Sequence, residues 1–309
     1  MARLHFRRSD RDCRMATTED VTRRMLSLAQ RTPINIAPEK AQALAHEVFG
    51  TETWELRDSR TEANFYAVVP DRAVYASYAG LASLWCLSFV AFCVMDLSSR
   101  AARSVEFKGE QIDIGAQWAS MNLQAYLDYA RRLFHADEPW PENMCEPEPG
   151  ADLATMEGRI NNLFFGALSW ILLHEIAHVH HGHSHLIPAS MKVGQEYQAD
   201  AFATMWVLDD AGNGLQREFR VLAVSVALAW LFLHEQAKGQ GSDHPAAILR
   251  FRDAVAHFNM GARSAGLENA TYMLKAIFDP SAEMPTGMMA HEAFNWMCKR
   301  LEVIFSARH

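Results

Sequence analysis

LFFGALSWILLHEIAHVHHGHSHLIPASMKVGQEYQAD, residues 163–200, is the stretch from which this chain is best read. It joins an uncharged run, Leu163 to Leu173, to His174-Glu175-Ile176-Ala177-His178 and then to Glu196-Tyr197-Gln198-Ala199-Asp200. No Pro or Gly interrupts residues 167–181, so the first cluster sits on a helix. Two helical residues four apart differ by about 40° around the axis and about 6 Å along it, so the imidazoles of His174 and His178 converge on one point. A zinc ion fits there, at N–Zn distances of about 2.0–2.1 Å. Glu175 lies about 100° around the helix from His174, poorly placed as a third ligand and well placed as general base for a metal-activated water. Phe164, Phe165, Leu168, Ile171 and Leu172 line the turns before the motif. Burial by that apolar shell dries the site and strengthens its electrostatics.

A catalytic zinc usually takes three protein ligands and a water, so two histidines leave one ligand to find. Glu196 follows His178 with room for a turn that returns a second helix antiparallel to the first. Asp200, one helical turn on, shares its face and suits a carboxylate that holds the free N–H of a ligand histidine. Away from the motif, both acids would read as a solvated helix face. His181 and His185 compete for the third position, because His174, His178, His181 and His185 fall close to one helical stripe. Gly182 argues against a helix that reaches His185. The metzincin pattern needs Gly and His three and six residues after the second histidine, where this chain has His181 and Ser184, so it fails. His180, His181, His183 and His185 then read as a polar helix end with weak adventitious metal affinity.

H-E-I-A-H at 174–178 with E-Y-Q-A-D at 196–200 resembles the gluzincin-type zinc peptidases. A third element, His244-Pro245-Ala246-Ala247-Ile248-Leu249-Arg250, is similar to the H-P-x-x-x-x-R element of the CAAX-prenyl-type zinc peptidases. The resemblance implies that Glu196 is a zinc ligand, that Asp200 stands behind a histidine, and that His244 and Arg250 face the reacting carbonyl. Alone, the third element is weak, because Pro245 suits the first turn of a helix whatever His244 does. Length, composition and the late position of the motif resemble the phage-exclusion peptidases, a family associated with cleavage of a translation elongation factor. Residues 1–150 show nothing that bears on that likeness. The membrane-embedded CAAX-prenyl-type enzymes carry several spans and fit less well.

With 309 residues, half of them apolar, the chain can bury a sizeable core as one large domain or two small ones. Its formal charge of −8 and the lack of a basic stripe interleaved with aromatics argue against a nucleic-acid partner. Cys13, Cys86, Cys93, Cys145 and Cys298 are odd in number and form no C-x-x-C pair, which suits a reducing cytoplasm and disfavours a disulfide framework. Arg3, Arg7, Arg8, Arg11 and Arg14 have no apolar segment behind them, so residues 1–14 read as a loose basic arm rather than a secretory signal, with Met15 an alternative start. Residues 15–136 then form an N-terminal helical part with short strands, and residues 137–150, with Pro139, Pro141, Pro147 and Pro149, a linker. Residues 151–309 are the peptidase part.

Within these limits, helices are expected from Thr17 or Thr18, after Pro38 as far as Gly50, and over 116–134, 196–209, 215–237, 245–258, 262–278 and 290–307. A hairpin is expected from 53–57 and 64–69, and a short strand or two within 104–114. Residues 73–95 carry no charge and are long enough to span a bilayer at about 20 residues per crossing. Tyr75, Ser77, Tyr78, Gly80, Ser83 and Ser88 dilute that run, which favours a buried core helix over a membrane span. The expected fold is mainly α with a small β hairpin or sheet, organised around a zincin-like helix pair. The expected activity is a zinc-dependent endopeptidase acting on a protein or peptide: zinc on His174, His178 and Glu196, Glu175 as base, and His244 or Arg250 stabilising the oxyanion. Two alternatives stand beside it, a non-catalytic metal-binding or regulatory protein and a membrane-anchored peptidase.

Overall fold

The uncharged run at 73–95 divides between a strand, Ala73–Ser77, and a 31-residue helix, Tyr78–Lys108. Ser77 makes the break. Its hydroxyl accepts the Gly80 N–H at 2.9 Å as an N-cap and the Asn64 N–H at 3.0 Å. The computed structural model describes residues 18–48, 54–108, 113–148, 150–184 and 186–306. The basic arm at 1–14, the stop at Gly50, Gly109 and the competing ligand His185 lie outside the described residues.

Helices among the described residues are α1 (Thr18–Ala29), α2 (Thr32–Ile36), α3 (Ala41–Ala43), α4 (Tyr78–Lys108), α5 (Ile114–Ser120), α6 (Leu123–Leu133), α7 (Met156–His180), α8 (Ala189–Leu208), α9 (Leu215–Lys238), α10 (Ala247–Val255), α11 (Ala265–Phe278) and α12 (Ala290–Ser306). The strands are β1 (Glu55–Ser59), β2 (Phe65–Val68) and β3 (Ala73–Ser77). This is the mainly α fold with a small sheet that the patterning implies.

Several local expectations need correction. β1 and β2 do not form a hairpin with each other. β3 lies between them, parallel to β1 and antiparallel to β2. A tight turn at Val69–Asp71, closed by Arg72 in the left-handed region (φ 48), folds β3 directly onto β2. The strand was hidden because its apolar residues run straight into those of α4. Residues 104–108 continue α4 rather than forming a strand. The helix expected over 116–134 is two, α5 and α6, broken where Asn122 turns left-handed (φ 53). α8 begins at Ala189, directly after Pro188, so Gly194 lies inside a helix and not in a loop.

α4, α7 and α9 carry the interior, and several of their buried polar groups are paired within the protein, as burial demands. The Trp230 N–H donates to Ser83 Oγ at 2.8 Å, the Trp85 N–H to Asn161 Oδ1 at 2.9 Å, and the Ser88 hydroxyl to the Leu84 carbonyl at 2.8 Å. Tyr78 and Tyr129 meet through their hydroxyls at 3.0 Å. Ser77, Tyr78 and Ser83, three of the residues that dilute the uncharged run, thus tie it to its neighbours. By length and composition Tyr78–Ala101 and Met156–His180 could each cross a membrane; 94% and 89% of their most apolar stretches are buried inside the protein. The described part of 137–150 forms neither helix nor strand, and apolar residues on both sides of it share one core.

Candidate active site

α7 starts at an N-cap, Thr155, whose hydroxyl accepts the Gly158 N–H at 3.0 Å. It stops before Gly182, which adopts φ 62. α8 returns alongside it, and the two pair one turn at a time. His178 Nε2 faces Glu196 Oε1 at 3.5 Å, His174 Nδ1 meets Asp200 Oδ1 at 2.9 Å, and the Trp170 N–H donates to Thr204 Oγ1 at 2.9 Å. Steps of minus four on α7 match steps of plus four on α8, which is the antiparallel register.

His174, His178 and Glu196 gather on one point. Their nitrogens, both Nε2, are 3.2 Å apart, and His174 Nε2 is 3.4 Å from Glu196 Oε2. These three are the described side chains able to hold a metal ion together, and all are buried. Tetrahedral donors at about 2.0–2.1 Å from one ion stand about 3.3 Å from each other, so the spacing suits a small divalent cation. Glu196 Oε2 is buried without a hydrogen-bond partner, a costly state for a carboxylate oxygen unless a cation completes it. His181 is exposed at the end of α7 and stands outside this group.

The electrostatics also favour a positive charge here. Burial opposes charge on His174, but the Asp200 carboxylate at 2.9 Å and the nearby Glu196 carboxylate outweigh it and raise its pKa to about 10. Burial likewise opposes ionisation of Glu196 and Asp200. His174 beside the first, and Arg250 beside the second, nonetheless hold both below the usual carboxylate range. For His178 burial prevails, reinforced by His174, and its pKa falls to about 3. Burial pushes the Glu175 carboxyl up to about 7.

α10 brings the third sequence element to the pair. Arg250 is buried and grips Asp200 with two donors, Nε to Oδ2 and Nη2 to Oδ1, each at 2.7 Å. His244 lies half exposed, with Nδ1 2.9 Å from Asp243 Oδ1 and Nε2 3.6 Å from Glu196 Oε1. Glu175, His244 and Arg250 line one cleft of about 390 Å³, together with the apolar surfaces of Phe65, Trp170 and Trp230. The structure therefore brings together all seven residues singled out in the sequence: His174, Glu175, His178, Glu196, Asp200, His244 and Arg250.

His183 was missed. Read as part of a polar helix end, it is buried, with Nδ1 2.8 Å from His178 Nδ1 and Nε2 3.1 Å from Gln198 Oε1. Its position in sequence, just past the glycine that ends the helix, was the one available signal.

Known proteins bear on this constellation in two ways. A protein of Escherichia coli (strain K12) named "Cell death peptidase" is 23% identical over 269 residues, an overlap that covers 82% of this chain and 87% of that protein. No solved structure matches the chain. The Peptidase U49 model matches residues 74–270, more than half of the chain and a span that holds the whole assembly from His174 to Arg250, and on that match the chain belongs to the Peptidase U49 family.

Proposed function

We propose that this peptidase is a zinc-dependent endopeptidase. One observation carries the reading: three buried donors, His174, His178 and Glu196, face one point beside Glu175 on the wall of a cleft, and one carboxylate oxygen among them lacks a partner. Two imidazoles and one carboxylate, with a side open to the cleft, are the donor set of a catalytic zinc. Bound there, zinc would supply a Lewis acid that acidifies a water and polarises the scissile carbonyl.

The chain's own groups do the rest. Glu175, its carboxyl raised toward neutrality by burial, accepts the proton of the attacking water and returns it to the leaving amine. His244, at the cleft and held by Asp243, can donate from Nε2 to the oxyanion when protonated, a contact of the kind worth about 3–4 kcal/mol. Arg250 spends two donors on Asp200, so we assign it to holding that carboxylate against His174. β2 is an edge strand beside α7, which supports an extended peptide as ligand.

The relative's name and the likeness to phage-exclusion peptidases support a cytoplasmic protein as substrate, a translation elongation factor among the candidates, with damage to the cell as the outcome. The test compares cells that express the wild type and Glu175→Gln, by viability and by sequencing new protein N-termini. The variant is expected to keep its zinc and to lose cleavage by about 10²–10⁴-fold. Equal cleavage by the two proteins would overturn the mechanism, and wild-type protein purified without zinc would overturn the metal.

A further inference from the structure

His183 and Gln198 have no part in the reading above, yet their geometry is closely constrained. α7 ends in a Schellman closure. Gly182 turns left-handed, its N–H bonds the Val179 carbonyl at 3.2 Å, and the His183 N–H bonds the His178 carbonyl at 3.0 Å. That closure folds His183 back over the last turn, so two residues already joined by a backbone hydrogen bond also meet through their rings. His183 is 7% exposed and touches Gln198, on α8, with its other nitrogen.

With a cation on His174, His178 and Glu196, the contacts allow one direction of donation. An imidazole that offers a lone pair from Nε2 carries its proton on Nδ1. On the metal reading His178 offers its Nε2 lone pair to a cation held with His174 and Glu196, so its Nδ1–H donates to Nδ1 of His183, 2.8 Å away. His183 must then carry its own proton on Nε2, and that N–H donates to Gln198 Oε1, an atom that only accepts. Each atom has one role, and all three assignments agree.

Resting on the metal reading, we infer that His183 is a positioning residue: aimed by Gly182 and fixed by Gln198, it holds His178 in the neutral tautomer whose Nε2 lone pair points at the metal. Outer partners of ligand histidines fix ring orientation and basicity, and their loss typically costs about 10–100-fold in metal affinity.

The test reads metal binding, not turnover. In the full chain carrying Glu175→Gln, which prevents self-cleavage, zinc affinity is measured by competition with a chromophoric chelator, and site geometry by visible absorption of the cobalt(II) form. His183→Phe keeps bulk but deletes the acceptor; a loss of about 10–100-fold and an altered cobalt band are expected. His183→Asn restores a side-chain acceptor and is expected to recover most of the loss. Gln198→Leu, at an exposed position, should show a smaller loss of the same kind, and it decides the matter if His183→Phe does not fold. Parental affinity and spectrum in His183→Phe, or in Gln198→Leu where only that variant folds, overturn the inference. So does an equal loss in the Phe and Asn variants, which would mark a packing role. A parent that binds no zinc overturns both this inference and the metal reading beneath it.

Discussion

His174 and His178 stand one helical turn apart and present the same nitrogen to the same point, yet they rest on opposite kinds of support. Behind His174 is a charged pair, Asp200 at 2.9 Å, itself gripped twice by Arg250 at 2.7 Å. Behind His178 is a neutral imidazole that ends on a neutral amide. The difference teaches how a buried site limits its charge. A carboxylate makes a ligand histidine more basic, but buried it needs a cation of its own, and Arg250 is that cation. A second carboxylate behind His178 would need a second buried cation, which a neutral acceptor avoids.

Asp200→Ala should break the charged side hardest. It leaves the Arg250 guanidinium buried and unpaired, so metal-free protein should lose about 3–5 kcal/mol in urea denaturation. Asp200→Asn keeps an acceptor for His174 and should lose less. A cost for Asp200→Ala no greater than that of an ordinary surface substitution, about 0.5 kcal/mol, would sink the account of a structurally committed Arg250.

Thr204→Val tests the rung beyond the site on the same helix pair. It strands the buried Trp170 N–H and should cost about 1–3 kcal/mol, read as a lower midpoint in thermal denaturation. Zinc affinity should hardly change. If it falls as well, the rungs act as one unit, not as separable contacts.

Two glycines, Gly182 at the end of α7 and Gly194 inside α8, sharpen the neutral side, and the effects are smaller. Gly182→Ala forces a Cβ into the left-handed region and should cost about 1–2 kcal/mol while shifting zinc affinity the same way as His183→Phe. Gly194→Ala, inside α8 where a Cβ would meet nothing within 4 Å, should stabilise by about 1 kcal/mol and leave zinc binding alone. Denaturation and chelator competition on both variants would separate strain at the helix stop from general helix stability.

Legibility followed distance along the chain. The four-residue spacings of His174 with His178 and of Glu196 with Asp200 state directly which side chains share a helix face, because the helical repeat is local. The stop at Gly182 is equally local, and α7 ends where it suggests. β3 was illegible because an apolar strand leading into an apolar helix has no change of composition to mark the boundary. α8 began early because Pro188 and Gly194, which read as loop signals, are tolerated at and inside a helix that is buried along its other face.

By itself, then, the sequence determined the candidate donors and their helices: which residues can reach a common point depends on a repeat of 3.6 residues and little else. Tertiary structure decided what stands behind them. Arg250 meets Asp200 across 50 residues of chain, Ser83 meets Trp230 across 147, and His183 turns inward through a closure whose side-chain consequence appears only when α8 packs against it. Those contacts are set by burial, which makes each polar group find a partner wherever the folded chain brings one within reach.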